Sequence, residues 1–306
     1  MSSVAEAVSL TPLRRLAKLA PFAYLVALGI DIGFEGVPLQ RDRGMLWLVL
    51  GMGAFTASRP GRWARLVVDW LPIVALLVIY DFLRGAADGS LLSAHIDPQI
   101  DADSWLFGGT IPTLWLQDHL YDPDTVHWYD VVAWATYLSH FFVPWGTAAV
   151  LWVKARDRFL QLRTRLLIVT GLAYVGYLTF PAMPPWMASD YGFIGPSDRL
   201  IGHIWGELGI YPAQSLWEKG DGLVNLVAAM PSLHAAYPVV LLLFFWGAGW
   251  WVRAGLALYS LMMGFTLVYG AEHWVIDILL GWAIALLAFG IVRVGQAVSA
   301  NWRRTN

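Results

Sequence analysis

The stretch HWVIDILLGWAIALLAFGIVRV, residues 273–294, holds a single charged side chain, Asp277, before Arg293. A run of roughly 17–25 mostly apolar residues is long enough to cross the hydrocarbon core of a bilayer as a helix. An aspartate inside such a helix costs about 2.5–3.5 kcal/mol on insertion scales, so it tends to be functional. Outward from this stretch the chain keeps the same character. Of its 306 residues 58% are hydrophobic and 14% charged, and the mean hydropathy is +0.56. Soluble domains carry about 25% charged residues. The composition predicts an all-α, polytopic membrane protein forming one domain over 1–306. Residues 1–60 are extra N-terminal spans, 61–294 the core and 295–306 a cytoplasmic tail.

Seven further apolar runs precede the first: 19–36, 45–57, 66–83, 131–153, 166–182, 233–251 and 254–271. Eight spans place both termini on one side. The N-terminal run follows basic residues, as in a signal peptide, but has no small-x-small cleavage site and reads as a retained span. On this layout fifteen of the 20 basic residues share the side of the termini, the densest group being KARDRFLQLRTR, 154–165. Arg41, Arg43, Arg84, Arg199 and Lys219 share the other. The positive-inside rule makes the first side cytoplasmic, in a plasma or inner membrane. Many of the 18 tryptophans suit aromatic belts at the interface. The segments 84–130 and 183–232 fall outside and mix aromatic with polar residues, which predicts interfacial helices roofing a site. With no cysteine in the chain, disulfides, thiolate metal sites and cysteine nucleophiles are excluded.

A second histidine stands in MPSLHAAYP, 230–238. His234 opens the sixth span and His273 the eighth, both from the outer side, so the two share a depth. Ser232 suits the N-cap of the helix that follows. A helix N-terminus offers free N–H groups and a positive dipole end to an anion. Asp277, four residues after His273, is expected on the same helix face. There it binds one imidazole nitrogen and leaves the other basic or nucleophilic. These residues by themselves allow three readings: interfacial histidines facing water, a zinc site with His234 as third ligand, and a histidine-based catalytic site.

At these positions the chain resembles the phosphatidic acid phosphatase type 2 superfamily of membrane phosphoryl-transfer enzymes. YLTFPAMPPW (177–186), MPSLHAAYP and HWVIDILLGW look like its inositol phosphorylceramide synthase branch and bacterial relatives. The resemblance covers roughly 130–294 and implies a six-helix phosphatase-type core. It implies that His273 is the nucleophile and forms a phosphohistidine, that Asp277 orients it, and that His234 protonates the leaving oxygen. It implies no metal and no cofactor. Two cations usual in the family's phosphatases are missing. No lysine- and arginine-bearing first signature is found, and Leu267 stands six residues before His273, where they carry arginine. The synthase-like branch departs similarly, which favours transfer over hydrolysis.

A phosphoryl group still needs a cation in the transition state. Arg84, in YDFLRG, is the first candidate, ahead of Arg199 and Lys219. Ser232, Glu272, His140 and Trp186 complete the expected substrate-binding set. His140 is expected about three turns into the fourth span, and the Pro-Pro-Trp run at 184–186 to end the fifth. On this layout 19 of 22 acidic residues lie outside, an environment that suits a neutral polyol or a lipid arriving within the bilayer better than a free anion.

The function expected is transfer of a phosphoryl-polyol group, such as phosphoinositol, from a phospholipid to a lipid or glycan hydroxyl, outside the membrane. The alternative is a lipid or polyprenyl phosphate phosphatase using the same residues. A third reading, a proton-relaying transporter or scaffold, wants polar residues at mid-bilayer along several helices. The expected partners are these lipids, an acceptor and the bilayer, with no nucleic acid.

Overall fold

The computed structural model describes residues 17–35, 41–58, 61–88, 94–207 and 228–305. Among them the fold is all-helical, with thirteen α-helices and no strand. Two compact units form: Met1–Ala75 with Trp145–Leu160, and Leu76–Pro144 with Gln161–Asn306.

In the first unit α1 (Ala20–Glu35) packs on α2 (Arg41–Thr56). Asp31 joins them, accepting from the Arg43 guanidinium at 2.5 Å and from the Trp47 indole at 2.7 Å. The first part of α3 (Gly61–Asp88) brings in the buried Asp69. Its carboxylate accepts from the Trp152 indole and, in a fork, from Arg156.

The second unit holds the histidines. Short helices α4 (Asp97–Leu106), α5 (Pro112–Leu120), α9 (Pro185–Asp190) and α10 (Leu200–Glu207) accompany longer ones. These are α6 (Trp128–Ser139), the later part of α8 (Arg156–Thr179), α11 (Leu233–Phe244), α12 (Trp250–Tyr269) and α13 (Val275–Thr305). Helix α11 packs on both α12 and α13; α6 lies along α12, and α4 meets α13. By length and apolarity α12 and α13 can cross a membrane. Both leave leucines such as Leu258, Leu261, Leu286 and Leu287 exposed, a surface suited to hydrocarbon.

Two expected spans are interrupted. The run 131–153 divides into α6 and α7 (Val143–Lys154). Proline 144 has no N–H for the His140 carbonyl, and its ring would strike that carbonyl in a continuous helix. The chain therefore tightens, with the N–H groups of His140, Phe141 and Phe142 bonding three residues back. The run 233–251 also divides. Helix α11, 12 residues and roughly 18 Å long, gives way to a 3-10 turn at Trp246–Ala248 and to Gly249 at φ 107°. That φ suits glycine alone.

The turn before α11 is held from two sides. Tyr177 on α8 donates to the Pro231 carbonyl at 3.1 Å, and the Ser232 N–H donates to the Asp277 carbonyl at 3.0 Å. Both neighbours come close because each offers a glycine. A Cβ on Gly176 would overlap Pro231 Cδ, and one on Gly281 would overlap the Ser232 carbonyl oxygen. Gly281→Ala is expected to lose about 1–3 kcal/mol and more than tenfold in turnover, because the displaced atom belongs to the turn carrying His234. Gly290→Ala, with nothing within 4 Å of its Cβ, is the control and should leave the thermal midpoint unchanged.

Candidate active site

Between α12 and α13 the loop Gly270–Trp274 is wound tightly. The N–H groups of Glu272 and His273 both donate to the Leu267 carbonyl, at 2.9 and 3.1 Å. Ala271 takes φ 59°, a left-handed conformation that costs a residue with a Cβ about 1–2 kcal/mol. Such strain persists only where the surroundings hold it, commonly at functional loops.

His273 and Asp277 do meet, with Nδ1 to Oδ2 at 3.5 Å, but not as neighbours on one helix face. Helix α13 starts at Val275, so His273 precedes it. Asp277 Oδ2 reaches back to accept the Trp274 N–H at 3.0 Å, the returning half of a capping box. The carboxylate thus caps its own helix and faces the imidazole with the same oxygen. Nδ1 is directed at Asp277, which leaves Nε2 of His273 for chemistry.

His234 arrives from α11. Its position is set by Ser232, the expected N-cap, whose hydroxyl accepts the Ala235 N–H at 3.2 Å. The imidazole centroids of His234 and His273 are 5.6 Å apart. His140, at the C-cap of α6 and not inside a continuous helix, lies 3.9 Å from His234 ring to ring. Tyr137 stacks on His234 at 4.8 Å, and Tyr237 on His140 at 5.1 Å. His140 Nδ1 and His234 Nε2 are buried with no hydrogen-bond partner among the described residues. A buried polar nitrogen that the fold leaves unsatisfied is available to a ligand. No three His, Asp or Glu side chains among the described residues are arranged to hold a metal ion.

Of the remaining expected residues, Glu272 is buried and paired with Arg199, and Trp186 lies beneath that guanidinium. Pro185 opens α9, after α8 has ended at Thr179, so the Pro-Pro pair starts a helix and does not end one. The side chain of Arg84, and Lys219 as a whole, lie outside the described residues.

Two contributors carry no local signal. Asp103, fully buried on α4, accepts the N–H groups of Val275 at 2.9 Å and Ile276 at 3.0 Å. Gln117 on α5 donates to the Tyr269 and Asp198 carbonyls and accepts the Asp198 N–H, each at 2.8 Å. Asp103 also corrects the expected anion site at this helix start. The N–H groups of Trp274, Val275 and Ile276 already bond two carboxylates, which close that end to a phosphate.

Burial pushes the Asp103 carboxyl up to about 6, against the lowering effect of its two backbone N–H bonds. The folded protein therefore holds this proton more tightly than the unfolded chain. The linked stabilisation is full below the free value of 3.8 and lost as pH rises through about 6. Asp103→Asn removes the titration. The thermal-midpoint advantage of wild type over this variant should shrink between about pH 4 and 6, as read by thermal unfolding in detergent.

A family model described as the PAP2 superfamily matches residues 102–291, which include His140, His234, His273 and Asp277. The chain belongs to the PAP2 superfamily and is an enzyme of its phosphotransferase type. It is 28% identical over 269 residues to phosphoinositol dihydroceramide synthase of Bacteroides thetaiotaomicron, covering 81% of this chain and 83% of that protein. It is 25% identical over 165 residues to the catalytic subunit of inositol phosphorylceramide synthase from Schizosaccharomyces pombe, covering 52% of this chain and 39% of that protein. No solved structure matches at the significance these relatives reach.

Proposed function

We propose that this enzyme transfers phosphoinositol from a phospholipid to the hydroxyl of a ceramide-type lipid through a covalent intermediate on His273. The observation that carries the reading is the meeting of His234, His273 and Asp277, held by the bond between the Ser232 N–H and the Asp277 carbonyl. The similarity to phosphoinositol dihydroceramide synthase supports the donor and acceptor classes.

In the first step His273 Nε2 attacks phosphorus, and the bond to the diacylglycerol oxygen breaks. His234, 5.6 Å away ring to ring, gives that oxygen its proton. Asp277 offsets the positive charge of the phosphorylated imidazole. In the second step the acceptor hydroxyl loses its proton to His234 and attacks phosphorus, and His273 departs. Dividing the displacement in this way is nucleophilic catalysis with two moderate barriers. Ser232 sets His234 in place, while His140 and Trp186 line the substrate side.

We place the site on the extracytoplasmic side of one eight-span membrane domain, built on a six-helix core with both termini cytoplasmic. The uneven distribution of basic residues supports that orientation. The test uses full-length protein in lipid vesicles, with head-group-labelled phosphatidylinositol, with and without ceramide, and with EDTA. Label on the acceptor, insensitive to EDTA, is the expected result. Free inositol phosphate alone would make the enzyme a hydrolase, and loss of transfer in EDTA would overturn the metal-free mechanism.

A further inference from the structure

The fold leaves the donor's phosphate without its two most obvious anchors. The start of α13 has its N–H groups bonded to Asp103 and Asp277. Six residues before His273 stands Leu267, fully buried and apolar, whose carbonyl closes the loop. The carboxylates of Asp103, Asp277 and Glu272 lie in or against this loop, so the surroundings repel an anion unless a cation meets it.

Arg199 is that cation. Its Nε and Nη2 donate to the two Glu272 oxygens at 2.8 and 3.2 Å, and its guanidinium lies 4.8 Å over the Trp186 ring. Glu272 is the residue next to His273, and the Trp186 N–H donates to the Ala271 carbonyl at 3.0 Å. The guanidinium is thus tied to the loop carrying the nucleophile. Its backbone is fixed too: Gln117 binds both the N–H and the carbonyl of the preceding Asp198. The Arg199 side chain remains 19% exposed, against 7% for Glu272, so a ligand reaches the arginine before its partner. A planar fork that binds a carboxylate in two bonds binds a phosphodiester's oxygens equally well.

Resting on the function proposed above, we infer that Arg199 is the phosphate-binding residue of the donor site. Glu272 is the carboxylate that occupies the guanidinium until the phosphodiester takes its place. Glu272 then both holds the arginine in position and weakens donor binding, because the phosphate must displace it.

The test compares Arg199→Gln, Arg199→Lys, Glu272→Gln and the double Gln variant of the full-length protein. Two readouts serve: KM and kcat for phosphatidylinositol, and the rise in thermal midpoint caused by orthovanadate, which needs no turnover. Arg199→Gln and the double variant should raise KM at least tenfold and abolish the vanadate shift. Arg199→Lys should recover part of both, while Glu272→Gln should lower KM and enlarge the shift. A purely structural ion pair predicts otherwise: Arg199→Gln and Glu272→Gln would suffer alike and the double variant would recover. That pattern, or a vanadate shift absent from wild type or unchanged in Arg199→Gln, overturns the proposal. If Arg199→Gln does not fold, Arg199→Lys and Glu272→Gln decide through their opposite effects on KM. Should wild type transfer no phosphoinositol yet show a vanadate shift lost with Arg199, the substrate assignment fails and the anion site stands.

Discussion

Alanine in place of His273 is expected to lower the rate of phosphoinositol transfer by about 10^4-fold or more, the scale seen when a covalent nucleophile is removed. The loss should not come from unfolding. The His273 N–H that bonds the Leu267 carbonyl belongs to the backbone and survives the change, as does the bond from the Trp274 N–H to Asp277. Single-turnover transfer, with thermal unfolding beside it, checks the prediction. A midpoint close to wild type with transfer gone, and no label trapped on the variant after acid-free quenching, is the expected pair of results. Transfer at the wild-type rate would remove His273 from the chemistry.

The second large effect is expected at Asp277→Asn. Asparagine has the shape of aspartate, and its Oδ1 can take the place of the oxygen that accepts from Trp274 and faces His273. Orientation is therefore kept, and what is lost is charge. The negative charge matters most when the imidazole is phosphorylated and positive, in a site where Asp277 is fully buried and water does not screen it. A drop of about 10^2–10^4-fold in kcat, with KM changed less than about threefold, is expected for an interaction that strengthens in the transition state. Steady-state kinetics on labelled phosphatidylinositol separates the two parameters. A rise in KM with kcat unchanged would instead assign Asp277 to binding.

Much of this site was legible in the chain because its signals are local. Ser232 two residues before His234 reads as a helix cap, and the cap is there. Asp277 four residues after His273 reads as a contact, and the contact exists at 3.5 Å. The reason differed, since the aspartate bends back as an N3 residue of a helix that begins after the histidine. The interruption at His140 was written in Pro144 and was missed because hydropathy registers apolarity along 131–153 and not the missing N–H.

By itself the sequence determined that this is an apolar, helix-forming chain, and the stretches around His234, His273 and Asp277 carried its resemblance to a phosphoryl-transfer family. Periodicity, capping and hydropathy act over a few residues and need no partner from afar. Only the tertiary structure decided which distant groups complete the site. Asp103 reaches α13 across 172 positions, Gln117 reaches Tyr269 across 152, and Arg199 reaches Glu272 across 73. None of the three has a neighbour in the chain that marks it. Each is chosen because burying a helix terminus or a carboxylate costs free energy unless a partner of the right polarity is packed against it, and which residue supplies that partner depends on how the helices come together.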